Sequence, residues 1–112
     1  MKPKAPPPDS VTDILVMLGL HIEVARRRRG MSMKRVCEGA MITEQTYSRL
    51  IKGEPGVSTG VLGRVLHTLN MEESLRAVAN PATDEYGIAL EVARVKGKGG
   101  EVDETYRLDT NF

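Results

Sequence analysis

The stretch Thr43-Glu44-Gln45-Thr46-Tyr47-Ser48-Arg49-Leu50-Ile51-Lys52-Gly53 constrains the fold more than any other part of this chain. Thr43 is a residue type that caps a helix N-terminus with its side chain. Gly53 is the type that stops one. Between them Tyr47, Leu50 and Ile51 share one helical face, and polar residues fill the other. A second short helix precedes it, from Ser32 to Ala40, with Val36, Cys37 and Ala40 turned inward. The link Met41-Ile42 is too short to let the two helices lie far apart. The chain must therefore fold around two closely joined short helices, the second presenting amides and cations.

The remaining core must be built from small aliphatic side chains. The chain has 112 residues, 40% of them hydrophobic, with no Trp and few other aromatics. That supports one modest core with tails and favours helix-on-helix packing over a β-sandwich. One Cys excludes an internal disulfide and suits a reducing cytoplasm, the expected location. No apolar run is long enough to span a bilayer, and the lysines at the N-terminus lead into prolines rather than a signal peptide.

The net charge of +1 conceals an asymmetry. Residues 20–64 carry nine Lys and Arg against four Asp and Glu, and residues 65–112 carry five against nine. The basic half coincides with the two short helices, as a phosphate-binding surface requires. The acidic half suits a protein partner.

Along the chain, residues 1–9 read as a flexible proline-rich arm. A helix should begin near Ser10, which can cap it. Val11, Leu15, Leu18, Ile22 and Ala25 form its inner face, Arg26 to Arg29 its last turn and Gly30 its stop. Glu54-Pro55-Gly56 is a turn. Ser58 caps a fourth helix that runs through Leu69, with Asn70 as a left-handed stop. A fifth helix, Glu72 to Ala79, must end before Pro81. A sixth is expected from Asp84 to about Val95, with Ile88, Val92 and Val95 on one stripe, then a glycine-rich linker and a tail, Glu101 to Phe112, that alternates weakly like a strand.

Two helices joined in this way, the second exposing hydrogen-bonding side chains, make a helix-turn-helix, the motif that sets a recognition helix in the DNA major groove. From Gly30-Met31-Ser32 through Gly53 and on to Pro55-Gly56-Val57-Ser58 the chain resembles the XRE family of lambda-repressor-like domains, over about residues 18 to 80. Gly53 to Ser58, Arg64-Val65-Leu66, Ala79-Asn80-Pro81 and Tyr86 to Glu91 further resemble the HipB-like antitoxins that pair with HipA-type kinase toxins. The resemblance implies an all-α fold of about five helices over residues 10–80, with a C-terminal helix and flexible tail over 81–112 for dimer or partner contacts. Three positions depart from the family pattern. Met33 stands where a Gln usually touches phosphate and braces the recognition helix. Ile51 stands where a Glu usually pairs with the arginine at Arg26. Met41 stands at a turn position that is commonly Gly.

The expected DNA-binding residues are Ser32, Lys34, Thr43, Glu44, Gln45, Thr46, Ser48, Arg49 and Lys52. Gln45 can bond adenine through two atoms, Arg49 guanine likewise, and Glu44 can accept from cytosine. Thr43 and Ser32 cap helices and can add phosphate contacts, with Lys34 and Lys52 beside them. Plain solvated charge is the competing reading for the two lysines. At most two of Arg26 to Arg29 can face DNA, because a period of 3.6 residues turns the four apart; Arg27 and Arg28 read as surface charge. Cys37 reads as a core residue, His21 and His67 do not suggest a metal site, and Gly60 and Gly63 weaken the fourth helix unless another backbone packs on it.

No phosphate loop, nucleophile–base spacing or carboxylate pair points to an enzyme, a cofactor or a metal. The expected function is transcriptional repression by a homodimer on an inverted-repeat operator, in the nucleoid, with a HipA-like kinase as the possible partner and no membrane. The dimer surface is expected on the fourth and fifth helices and the segment after Pro81. The rivals are a stand-alone phage-type regulator and an interaction module that has lost DNA.

Overall fold

A computed structural model describes residues 5–97. In chain order the helices are α1 Asp9–Arg28, α2 Met33–Ala40, α3 Glu44–Ile51, α4 Thr59–Thr68, α5 Glu72–Arg76 and α6 Glu85–Gly97, with a 3-10 turn at Pro81–Thr83 before the last. No strand occurs among the described residues. The expected strand in the tail and residues 98–100 of the glycine linker lie outside them, while Lys96 and Gly97, expected in that linker, continue α6. The chain divides into two compact units, one through Leu75 and one from Arg76.

In the first unit, helix starts follow local chemistry. Ser32, Thr43 and Ser58 have extended backbones, and their hydroxyls accept from the amides of Arg35 (3.0 Å), Thr46 (3.1 Å) and Val61 (3.1 Å). Each bond satisfies one of the amides that a helix start leaves without a partner. Ser10 does not act as expected. α1 starts at Asp9, and Pro8 holds the cap position with no side-chain bond. The Pro8 carbonyl accepts from Val11 (2.9 Å) and Thr12 (3.1 Å), while Asp9 places a negative charge at the positive end of the helix dipole.

The stops are left-handed residues. Gly30, Gly53 and Asn70 have φ of 61°, 80° and 60°. Met41 joins them at φ 58° and ends α2. The family glycine it replaces would hold that backbone without the side-chain clash that an L-residue incurs.

The core lies where α2 meets α4 and α1 meets α3. Ile22, Val36, Tyr47, Val65 and Leu69 are buried at its centre, with Leu18, Met31, Met33 and Ile42 packed around them. Cys37 belongs to this core, and burial pushes its thiol pKa up. Glycine permits the closest helix approach. A Cβ on Gly19 would overlap the Ile51 backbone, and one on Gly53 would lie 2.7 Å from the Val16 amide nitrogen. α1 thus meets both the end of α3 and the turn that follows it backbone to backbone.

In the second unit, Asn80 caps the 3-10 turn by accepting from the Ala82 amide (2.9 Å), and Asp84 accepts from Gly87 (3.0 Å) at the start of α6. α5 is shorter than the pattern suggests, ending at Arg76 ahead of a turn in which Ala79 takes φ 53°. α6 contains no buried residue. Among the described residues no helix is long and apolar enough to cross a membrane.

Candidate nucleic-acid interface

α3 is an eight-residue helix with two distinct sides. Tyr47 and Leu50 are buried and Ile51 packs against the core. At 100° per residue the opposite side is shared by Gln45, Ser48, Arg49 and Lys52. Gln45, Arg49 and Lys52 are exposed and Ser48 half-buried. The sequence-predicted residues therefore separate into groups. These four share one face. Thr43 and Thr46 are joined at the helix start, where the Thr43 hydroxyl accepts from the Thr46 amide and donates to the Thr46 hydroxyl at 3.0 Å. Glu44 lies at the flank, close enough to Cys37 for its charge to raise the thiol pKa further. Ser32 and Lys34 stand at the exposed start of α2.

Arg49 is already engaged. Its Nε donates to the Glu54 carboxylate at 2.6 Å, with both side chains about half exposed, at 48% and 47%. Glu54 follows the Gly53 stop, so the left-handed turn that ends α3 also delivers the carboxylate to Arg49. Nothing in the spacing of this pair singled it out. An exposed bridge of this kind contributes at most about 1 kcal/mol, so it orients the guanidinium without locking it.

The inner side of α3 is held by a polar network. The Tyr47 hydroxyl donates to Glu23 on α1 at 2.5 Å. Arg26 donates to the same carboxylate through Nε (2.8 Å) and Nη2 (3.0 Å), and to the Met31 carbonyl through Nη1 (2.7 Å). The side chains of Arg26 and Glu23 are only 14% and 17% exposed. The guanidinium and the phenol hold the Glu23 carboxyl down at about 2, against the desolvation that would raise it. The carboxylate in turn raises the Arg26 pKa, and burial with the Glu23 bond raises that of Tyr47. Glu23 thus replaces the family acid missing at Ile51. It sits three residues before Arg26 on the same helix, and no periodicity points to Tyr47 as its other partner.

Two further arginines serve the backbone. Arg29 donates to the carbonyls of Leu69 (2.7 Å) and Ala25 (2.9 Å), and Arg64 to that of Ala40 (2.8 Å). Ala40 ends α2 and Leu69 is the residue that caps the end of α4, where helix carbonyls lack internal partners. In the Arg26–Arg29 run, then, the two residues not set aside as surface charge are the two that hydrogen-bond backbone carbonyls, although Arg29 is exposed like Arg27 and Arg28. Met33 packs into the core edge and cannot brace α3 by hydrogen bonding.

No curated protein and no solved structure matches the chain. A family model described as helix-turn-helix matches residues 5–75, which span α1 to α4 and nearly all of α5. With two short helices joined through Met41 and a second helix whose outer side is polar, the chain is a member of the XRE-type helix-turn-helix family of DNA-binding regulators.

Proposed function

We propose that this chain is a sequence-reading transcriptional repressor, acting as a homodimer on an inverted-repeat operator near its own gene. One observation carries the reading: Gln45, Ser48, Arg49 and Lys52 share the outer side of a helix whose inner side is pinned to α1 through Tyr47 and Glu23. A rigid helix with an amide and a guanidinium side by side suits bidentate recognition of adenine and guanine, each pair worth roughly 1–3 kcal/mol of discrimination. Lys52 and Lys34 supply phosphate contacts, and the capped starts of α2 and α3 supply backbone amides. Glu44 has no phosphate role at its flank position. Two-fold pairing places two recognition helices about 34 Å apart on one face of the duplex.

The finer reading is autoregulation together with a HipA-like kinase toxin. It rests on the sequence resemblance in residues 53–58 and 79–91 and on the acidic balance of residues 65–112. An interaction module without DNA is the second reading. It is favoured by Met33 in the core edge and by Met41, 82% exposed at the turn between the two helices.

The test is fluorescence anisotropy on the DNA upstream of the chain's own gene and on random duplex, at two salt concentrations, with Arg49→Ala/Gln45→Ala beside the parent. The expected result is specific binding that weakens with salt, as phosphate contacts release counterions. The double variant should lose about thirtyfold or more in affinity for that DNA and much less for random duplex. Binding no better than to random duplex overturns the repressor reading, and pull-down with the neighbouring gene product then tests the interaction module.

A further inference from the structure

The outer side of α1 takes no part in the core or in the α3 network. Met17, Leu20 and Val24 are 52%, 55% and 45% exposed there, beside Ile14 at 65%. Asp13, His21 and Arg28, all exposed, lie on the same side. At 100° per residue these seven positions fall within an arc of about 120°. An apolar stripe of this length on a small regulator calls for an occupant.

The order of residues along the stripe identifies one. Reversing the helix about the midpoint between Leu20 and His21 carries Asp13 onto Arg28, Met17 onto Val24 and Leu20 onto His21. An antiparallel copy of α1 would therefore meet acid with base at both ends, with Met17 against Val24 and Leu20 against the His21 imidazole between them. That is the condition for an isologous contact, in which the same patch serves both partners. Antiparallel packing also sets the positive end of each helix dipole against the negative end of the other. Neither Asp13 nor Arg28 forms an ion pair or side-chain hydrogen bond with another described residue.

We infer that the outer side of α1 is a self-association surface on which a second copy of this chain packs antiparallel, with Asp13 of each copy against Arg28 of the other. The contact is weak. Asp13 to Arg28 spans about 22 Å, and one helix face covers less than the roughly 800 Å² per partner of a standard interface. Its use is to add affinity between copies that something else already holds close together. It needs no DNA, so it stands or falls apart from the repressor reading.

Sedimentation equilibrium of the full chain, from low micromolar concentration upward and without DNA, tests it. The parent should show a concentration-dependent association step. Leu20→Glu should weaken that step by about tenfold or more, since it sets a charge in the apolar seam. Asp13→Arg and Arg28→Asp should each weaken it by about fivefold, and the two together should restore it. Circular dichroism checks that each variant is folded, and the restored double variant excludes misfolding as the cause. A parent that stays monomeric, an association that Leu20→Glu leaves unchanged, or a double reversal that fails to restore it overturns the proposal. An unchanged step would assign association to another surface and leave the repressor reading intact.

Discussion

The Tyr47 hydroxyl and the Glu23 carboxylate, 24 residues apart in sequence, meet at 2.5 Å and tie the recognition helix to α1. Arg26 closes the network from the other side of the carboxylate. The placement of α3, and so of its outer polar side, thus depends on an ion pair within α1.

This network should make stability depend on acid in a defined window. The Glu23 carboxyl is held at about 2, below its ordinary 4.5. A depressed carboxyl contributes stability that is complete above its unfolded value and lost as pH falls through its folded one, here from 4.5 toward 2. The shift corresponds to about 3 kcal/mol. Urea unfolding at a series of pH values should show that loss, and Glu23→Gln should flatten it. At neutral pH that variant should cost about 2–3 kcal/mol, because it leaves Arg26 without its countercharge.

Tyr47→Phe removes only the phenol donor. Tyr47 is fully buried, and the loss should cost about 1–2 kcal/mol in urea unfolding. Weaker DNA binding beyond that explained by unfolding would show that the bond sets the helix's orientation as well as its stability.

Met41→Gly should stabilise the protein. Met41 has φ 58° and is 82% exposed, so the glycine relieves the left-handed backbone and gives up almost no packing. The expected gain is about 1 kcal/mol, read as a Tm increase of about 4–8 °C for a domain of this size.

Gly53→Ala and Gly30→Ala separate backbone strain from close approach. Both glycines have positive φ, but a Cβ at Gly30 meets nothing within 4 Å, while one at Gly53 lies within 2.8 Å of backbone atoms of Leu15 and Val16. Gly30→Ala should cost about 1 kcal/mol, for strain alone. Gly53→Ala should cost several kcal/mol and release α3 from α1, measured as lost protection from hydrogen exchange in both helices.

Glu54→Gln should change DNA binding with little effect on fold. It removes the carboxylate that holds Arg49 at 2.6 Å and takes a negative charge from beside the recognition helix. Affinity for random duplex should rise by about twofold to fivefold, as expected for loss of one half-exposed charge. Discrimination between operator and random duplex should fall if the bridge aims the guanidinium.

What the sequence makes legible here is mostly local. Ser32, Thr43 and Ser58 cap the helices expected of them, and Gly53 and Asn70 stop theirs, because a cap or stop is decided within four residues. Ser10 failed as a cap because Pro8, at the cap position, carries no such side chain and leaves only its carbonyl to the first turn. The separation of Gln45, Ser48, Arg49 and Lys52 from Tyr47 and Leu50 followed from helical period. The partners of Glu23, Arg29, Arg64 and Arg49 did not. Each pairing depends on which carbonyl or carboxylate the packed helices bring near, and charge patterning set Arg27 and Arg28 aside without naming a partner for Arg26 or Arg29. Gly19 carried no signal either, since a glycine within a helix marks a close approach only once the neighbouring backbone is in place.

Arg26, Arg29 and Arg64 donate to the protein's own carbonyls, and Arg26 to a carboxylate as well. They act as mortar between helices, and a basic count taken from composition overstates what the surface offers a polyanion. Besides Arg49, which is paired with Glu54, the cations that remain exposed on α2 and at the end of α3 are Lys34, Arg35 and Lys52, so a smaller set of charges than the sequence count is open to solvent beside the helix-turn-helix.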